Sequence, residues 1–368
     1  MAAIRIRPAL SDSTQHAQLI GEKVVEAWYG HHGSGYLEIP AGVVAALAFV
    51  EPPYQLRDEV AVALIKLTPA EFADFMRHQW RWFMTGRPDL INRIWPLAEP
   101  WIREDGMSEQ ARDAAKHAAN AALQAGQLSL TGDPNRRCDT DLLGVVLTLL
   151  RPKSALQGRG QYYTPGPVLE MMARILGVRE GESIHEPTCG TGGAFRAAAE
   201  AVRATGGDPT TCLWVGVDID HVAVACCAVN VVLWGLGTNV LLGVGDSLRN
   251  DWWDRAIGER RETVELVRQL RRDAAMLKAF RLLSDPAEPQ DEMTSDAEPE
   301  PQEQPPNEPP PASEPEPEPV GETAPDPEPA PKPAAHVVTP VPLIDLDAEQ
   351  KDVLAAGFWD LVDLVVES

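Results

Sequence analysis

Apolar positions over the first 150 residues recur at helical spacing. In EFADFMRHQWRWFM, Phe72, Phe75, Met76 and Phe83 share a face. The run opens on Thr68-Pro69-Ala70-Glu71, a capping box with proline at the first helical position. Ser108 caps a second run, EQARDAAKHAANAALQAG, and Gly126 ends it. A third, DLLGVVLTLL (141–150), leads into the basic, glycine-rich RPKSALQGRG. AGVVAALAFV (41–50) suits a strand or a helix. Together these runs predict a helical domain over 1–150.

From about residue 160 short apolar runs alternate with helical ones. ESIHEP (182–187), CLWVGVDID (212–220) and TNVLLGVGDSL (238–248) predict strands. TGGAFRAAAEAVRATGG and HVAVACCAVNVVLWGLG predict the helices between them. Such alternation points to a parallel, wound α/β sheet. After Asp246 it stops, and 251–283 reads as one long charged helix or a hairpin of two. A domain over 151–284 is thus followed by a linker, 285–342, that holds 19 of the 33 prolines and 15 acids. That composition cannot bury enough apolar area to offset its ordering entropy, so the linker is expected to be disordered and extended. Residues 343–368 regain helical periodicity in DLDAEQKDVLAAGFWDLVDLVVES, a C-terminal helix for its own domain, for the body or for a partner.

Composition narrows the possible classes. The formal charge of the 368 residues is −23, but 285–368 carries 22 acids against Lys332 and Lys351. Residues 1–284, with 33 acids and 30 bases, are close to neutral, so the low pI does not exclude a nucleic-acid partner. No apolar run approaches the length of a membrane span, and MAAIRIRPALSDS lacks the apolar core of a secretory signal. The five cysteines form no CxxC pair and no His–Cys spacing suited to zinc. No metal site is expected, and an odd cysteine count without a signal fits a reducing cytoplasm.

The sharpest chemical feature is Glu186-Pro187-Thr188-Cys189-Gly190-Thr191-Gly192-Gly193-Ala194-Phe195, set between a strand and a helix. Glycines there let the backbone approach a ligand, at the carboxyl ends of strands where open α/β sheets bind. The spacing is neither the dinucleotide fingerprint nor the phosphate loop, and no lysine follows to neutralise phosphates. A ligand joining an amino acid to an adenosine fits better. Glu186 would meet its ammonium, Asp218 at the second strand end its ribose hydroxyls, and Asp246 at the third its adenine amino group.

Gln161-Tyr162-Tyr163-Thr164-Pro165, EPTCGTGGAF, VGVDID and GDSL, in this order, resemble the motifs of adenine-specific N6 DNA methyltransferases. The modification subunit of type I restriction–modification systems is the nearest likeness, over about residues 140–250. The resemblance implies a partial Rossmann-like, S-adenosylmethionine-dependent methyltransferase sheet behind the helical domain. It implies that Tyr163, Thr164 and Pro165 contact the methionine portion and that Glu186, Thr188, Gly190 and Gly192 line the same end. Asp218 would hold the ribose, Ile219 would pack on adenine, and Asp246 would bind its amino group. DNA is the implied partner, with sequence specificity from another chain.

One family motif is missing. An Asn or Asp followed by Pro-Pro and an aromatic should follow GDSL, to accept hydrogen bonds from the target amino group and stack on a flipped base. Asn250-Asp251-Trp252-Trp253 stands in the approximate place without either proline. Glu51-Pro52-Pro53-Tyr54 resembles the motif ahead of the cofactor half, but a helix stop followed by a loop accounts better for it. No catalytic residue is therefore assigned. The expected activity is adenine-N6 methylation with the catalytic groups displaced or supplied by a partner. The alternative is an inactive methylase-like subunit that acts through its acidic, proline-rich tail. Two basic aromatic groups, Arg77 to Arg81 and Trp252, Trp253 with Arg260, Arg261, Arg268, Arg271 and Arg272, offer DNA contacts. A packed bundle face is preferred for the first and a solvated helix face for the second.

Overall fold

The computed structural model describes residues 4–31, 35–103, 105–151, 164–249 and 251–284, with side chains to 277. Tyr163, Asn250, the linker 285–342 and the C-terminal segment 343–368 lie outside the described residues. Up to Asp273 the described chain is one compact unit. The last turns of the final helix, from Ala274 on, belong to a second unit and leave Met276 and Leu277 exposed.

Nine α-helices form the N-terminal region among the described residues: α1 (Ser13–His31), α2 (Glu38–Leu47), α3 (Arg57–Lys66), α4 (Pro69–Gly86), α5 (Ile91–Ile102), α6 (Glu109–Gln124), α7 (Gln127–Thr131), α8 (Pro134–Asp139) and α9 (Leu142–Leu150). The ambiguous run 41–50 falls in α2, where every residue from Ile39 to Leu47 is buried. Glu51 to Pro53 form the loop after it, and Glu51 pairs with Arg137. The capping box at α4 forms as the sequence predicts, with Thr68 and Glu71 exchanging bonds. Trp80 and Phe83 are buried in the bundle, and Arg77 pairs with Asp74 on its own helix. The aromatic side of this group is therefore packing, while Arg81 stays exposed.

After α10 (Gly166–Leu176) come three parallel strands, β1 (Ser183–Glu186), β2 (Leu213–Asp218) and β3 (Val240–Val244), in the order β1-β2-β3. Two crossover helices connect them, α11 (Gly193–Ala204) and α12 (His221–Leu233). The pleat of β2 divides the layers. Trp214 meets Phe195 of α11 edge-on at 5.5 Å. Val215 and Val217 point the other way, toward Trp252 of α13 (Asp251–Ser284), a single helix. Gly243 on β3 lets that indole lie close: a Cβ there would come within 2.5 Å of the ring. α12 is apolar nearly throughout because its residues from Val222 to Val231 are all buried, between the sheet and the helical region. The chain thus combines helices with a small parallel sheet, and no fourth strand occurs among the described residues.

Candidate functional site

Parallel register brings the three strand ends together. Glu186 lies opposite Gly216, and Asp218 lies opposite Val244, two residues before Asp246. The glycine loop after β1 folds back on β2. The Cys189 amide donates to the Val217 carbonyl at 3.0 Å, and the Gly190 amide donates to Asp218 Oδ2 at 2.9 Å. Asp218 Oδ1 accepts from the Asp220 amide at 2.9 Å, while the Asp218 carbonyl accepts from the Gly245 amide at 2.9 Å. Asp218 therefore pins the glycine loop and the start of α12. An ionised carboxylate has about four acceptor positions, so capacity is left for a ligand.

The two other acids behave similarly. Glu186 Oε1 accepts from the Thr188 amide at 3.2 Å and hydroxyl at 3.1 Å, while Oε2 has no hydrogen bond among the described residues. Asp246 Oδ1 accepts from the Leu248 amide at 3.0 Å, and Oδ2 is likewise unengaged. Ile219 follows Asp218 and is 72% exposed. Glu186, Thr188, Gly190, Asp218, Ile219 and Asp246 thus share one end of the sheet. Thr164 and Pro165 stand exposed at the start of α10, which is tied to α11 by the Glu170–Arg196 pair at 2.8 Å.

Gly192 is placed differently. It is buried at φ +94°, where a Cβ would lie 3.0 Å from Cys227 Sγ and 3.1 Å from the Trp234 ring. Its glycine is required by backbone conformation and by packing against α12.

A residue not singled out as a site in the sequence holds the loop from behind. Asp141, the N-cap of α9, accepts from the Gly144 amide at 2.8 Å, from Thr191 Oγ1 at 2.5 Å and from Asn230 Nδ2 at 2.8 Å. Asn230 also donates to the Thr191 carbonyl at 2.9 Å. Desolvation is the largest influence on Asp141 and pushes its pKa up, against the three hydrogen bonds. The capping position of Asp141 is visible in the sequence; partners 50 and 89 residues away are not. Arg151 adds a second brace through an ion pair with Asp220, whose other oxygen caps α12.

The second basic aromatic group calls for correction. Trp252 is neither solvated nor placed to stack on a base: it is 5% exposed and fills the core between α13 and the sheet. Arg260 is partly buried beside Asp89, and Arg271 donates to the Thr85 carbonyl. Arg261, Arg268 and Arg272 remain on the exposed face, the last two beside Glu265.

The thiols near the site are closed off. Cys189, Cys212, Cys226 and Cys227 are buried, and only Cys138 is partly accessible. Burial pushes the Cys226 thiol pKa up.

Residues 140–268 match a family model described as N-6 DNA Methylase. Among solved structures, the chain is similar to a type I restriction-modification system methyltransferase subunit from Streptococcus thermophilus, at 16% identity and a TM-score of 0.36. That match covers 65% of this chain and 60% of the other, so this chain spans less than two thirds of that subunit.

Proposed function

From the match of residues 140–268 to the N-6 DNA methylase family, we propose that the chain is an S-adenosylmethionine-binding subunit of an adenine-N6 DNA methylase of the modification type. The observation that carries the reading is the set of three carboxylates at adjacent ends of parallel strands, each with acceptor capacity to spare. That donor-poor, acceptor-rich crevice suits a cationic amino acid joined to an adenosine and does not suit a phosphate. On this reading the strands are the first part of a Rossmann-like sheet.

Glu186 would take the ligand's ammonium, with Thr188, Gly190 and the segment Tyr163-Thr164-Pro165 around the methionine end. Asp218 would accept from the ribose hydroxyls, Ile219 would cover one face of the adenine, and Asp246 would accept from its amino group. Gly192 contributes by holding the loop in shape. The cofactor supplies an activated methyl group; the chain's own residues position it and keep the glycine loop closed against β2. The sequence has no Asn- or Asp-Pro-Pro-aromatic segment. Acceptance of hydrogen bonds from the target amino group, and the DNA sequence specificity, would therefore come from a partner chain.

Calorimetric titration of the purified protein with S-adenosylmethionine tests the cofactor assignment. Saturable binding at one site per chain is expected, and a folded protein that releases no binding heat at any temperature tried would remove the assignment. Tritium transfer from the labelled cofactor to DNA tests the rest: none by the chain alone, and transfer to adenine once its partner subunit is added. Transfer by the chain alone would place the base-accepting groups within it.

A further inference from the structure

α10 carries a face that its surroundings do not use. Val168, Met171, Met172, Ile175 and Leu176 are 39, 55, 48, 75 and 74% exposed. Their spacing, i, i+3, i+4, i+7 and i+8, is that of a stripe a helix normally buries. Only Ala173 of this helix is buried, on the side held to α11 by Glu170 and Arg196. The sheet has an open edge as well: β1 pairs with β2 alone among the described residues. Five adjoining large apolar side chains on one helix face mark a surface that is covered in solution.

The sequence contains a segment of matching design outside the described residues. In 343–368, Leu354, Phe358, Leu361, Val362 and Val365 recur at i, i+4, i+7, i+8 and i+11, with Asp352, Asp360, Asp363 and Glu367 on the opposite face. At 1.5 Å per residue this stripe is roughly 17 Å long, against about 12 Å for the one on α10. The 58 residues from 285 to 342 that join it to the body could extend roughly 180 Å at ~3.1 Å per residue. Reach is no obstacle, and tethering gives the segment an effective concentration of order millimolar, which a free partner would have to exceed.

We propose that residues 343–368 dock as an amphipathic helix, through Leu354, Phe358, Leu361, Val362 and Val365, on the exposed face of α10 in the same chain. The acidic face then turns to solvent.

Replacing Ile175 by the photoreactive benzoylphenylalanine in the full-length protein tests this directly. Irradiation of a mixture of ordinary and nitrogen-15-labelled protein, followed by peptide mapping, should give cross-links to 351–368 within single chains. Phe358→Glu should reduce their yield at least fivefold. Cross-links to a second copy, to the exposed stripe Leu266 and Leu270 of α13, or none above the yield at the exposed control position Leu248, would each overturn the proposal. In a second measurement, deleting 343–368 should raise binding of an apolar dye severalfold, and Met172→Glu with Ile175→Glu should reverse the rise. Neither experiment uses cofactor or DNA, so its failure would leave the methylase reading standing.

Discussion

The helical region and the sheet region both confront backbone groups that their elements leave unpaired, and the buried carbonyls of the first contrast with the strand-end amides of the second. In the helical region, buried side-chain donors close the carbonyl ends of helices. His16 bonds the Ala125 carbonyl after α6, Gln127 the Val44 carbonyl in α2, Arg57 the Gly132 carbonyl after α7, and Lys116 the Leu64 and Ile65 carbonyls in α3. Four different residue types thus bond carbonyls at or near helix C-termini, where acceptors go unpaired, and the Val44 carbonyl accepts from the Ala48 amide as well. In the sheet region, side-chain acceptors meet backbone amides at the strand ends, through Glu186, Asp218 and Asp246. The donors of the first region serve the fold alone, while the carboxylates of the second hold their loops with part of their capacity. A binding crevice needs that surplus.

Four substitutions test the contrast, from the largest expected effect to the smallest. Trp252→Ala uncovers Val215, Val217 and Leu241 and should cost about 3–5 kcal/mol in urea unfolding. A loss below 1 kcal/mol would mean that α13 is not integral to the sheet. Lys116 comes next. Burial depresses its pKa from 10.5 to about 8, so above pH 8 the unfolded chain binds the extra proton. The wild type should therefore gain stability from pH 8 to 10.5 and lose it on return, by up to about 3 kcal/mol. Lys116→Met should flatten that slope without changing cofactor affinity.

Asp218→Ala should weaken cofactor binding by about 1.5–3 kcal/mol in calorimetry, the scale of hydrogen bonds to a charged group. Unchanged affinity in a folded variant would put the ribose elsewhere. Asp141→Asn should have the smallest effect, about 1 kcal/mol. The raised pKa of Asp141 means its contribution is present in acid and lost as pH rises through the folded value. The variant should therefore gain on the wild type with increasing pH, and parallel stability curves would contradict the enclosure of this carboxylate.

Much of the fold was legible because its signals are local. The Thr68 capping box, the acid-terminated strands and the glycines flanking α11 each declare themselves within one short stretch of chain. What escaped depends on a second segment of chain. Trp252 looks like a surface aromatic in a charged helix until Gly243, nine residues earlier, is seen to make room for it. Gly190 and Gly192 are alike in sequence, yet one presents its amide to Asp218 and the other packs on Cys227 and Trp234. Asp141 belongs to the candidate site through Thr191 and Asn230, a relation no periodicity encodes.

The sealed thiols carry a consequence for following this molecule in time. Alkylating reagents must reach the sulfur, so a buried cysteine reacts only when its surroundings open. Cys212 precedes β2, Cys226 and Cys227 sit in α12, and Cys189 lies in the glycine loop, while Cys138 alone is partly accessible. Pulsed alkylation read residue by residue by mass spectrometry would thus act as a set of clocks. Cys138 marks the background, and a ligand that closes the loop should slow Cys189 more than Cys212.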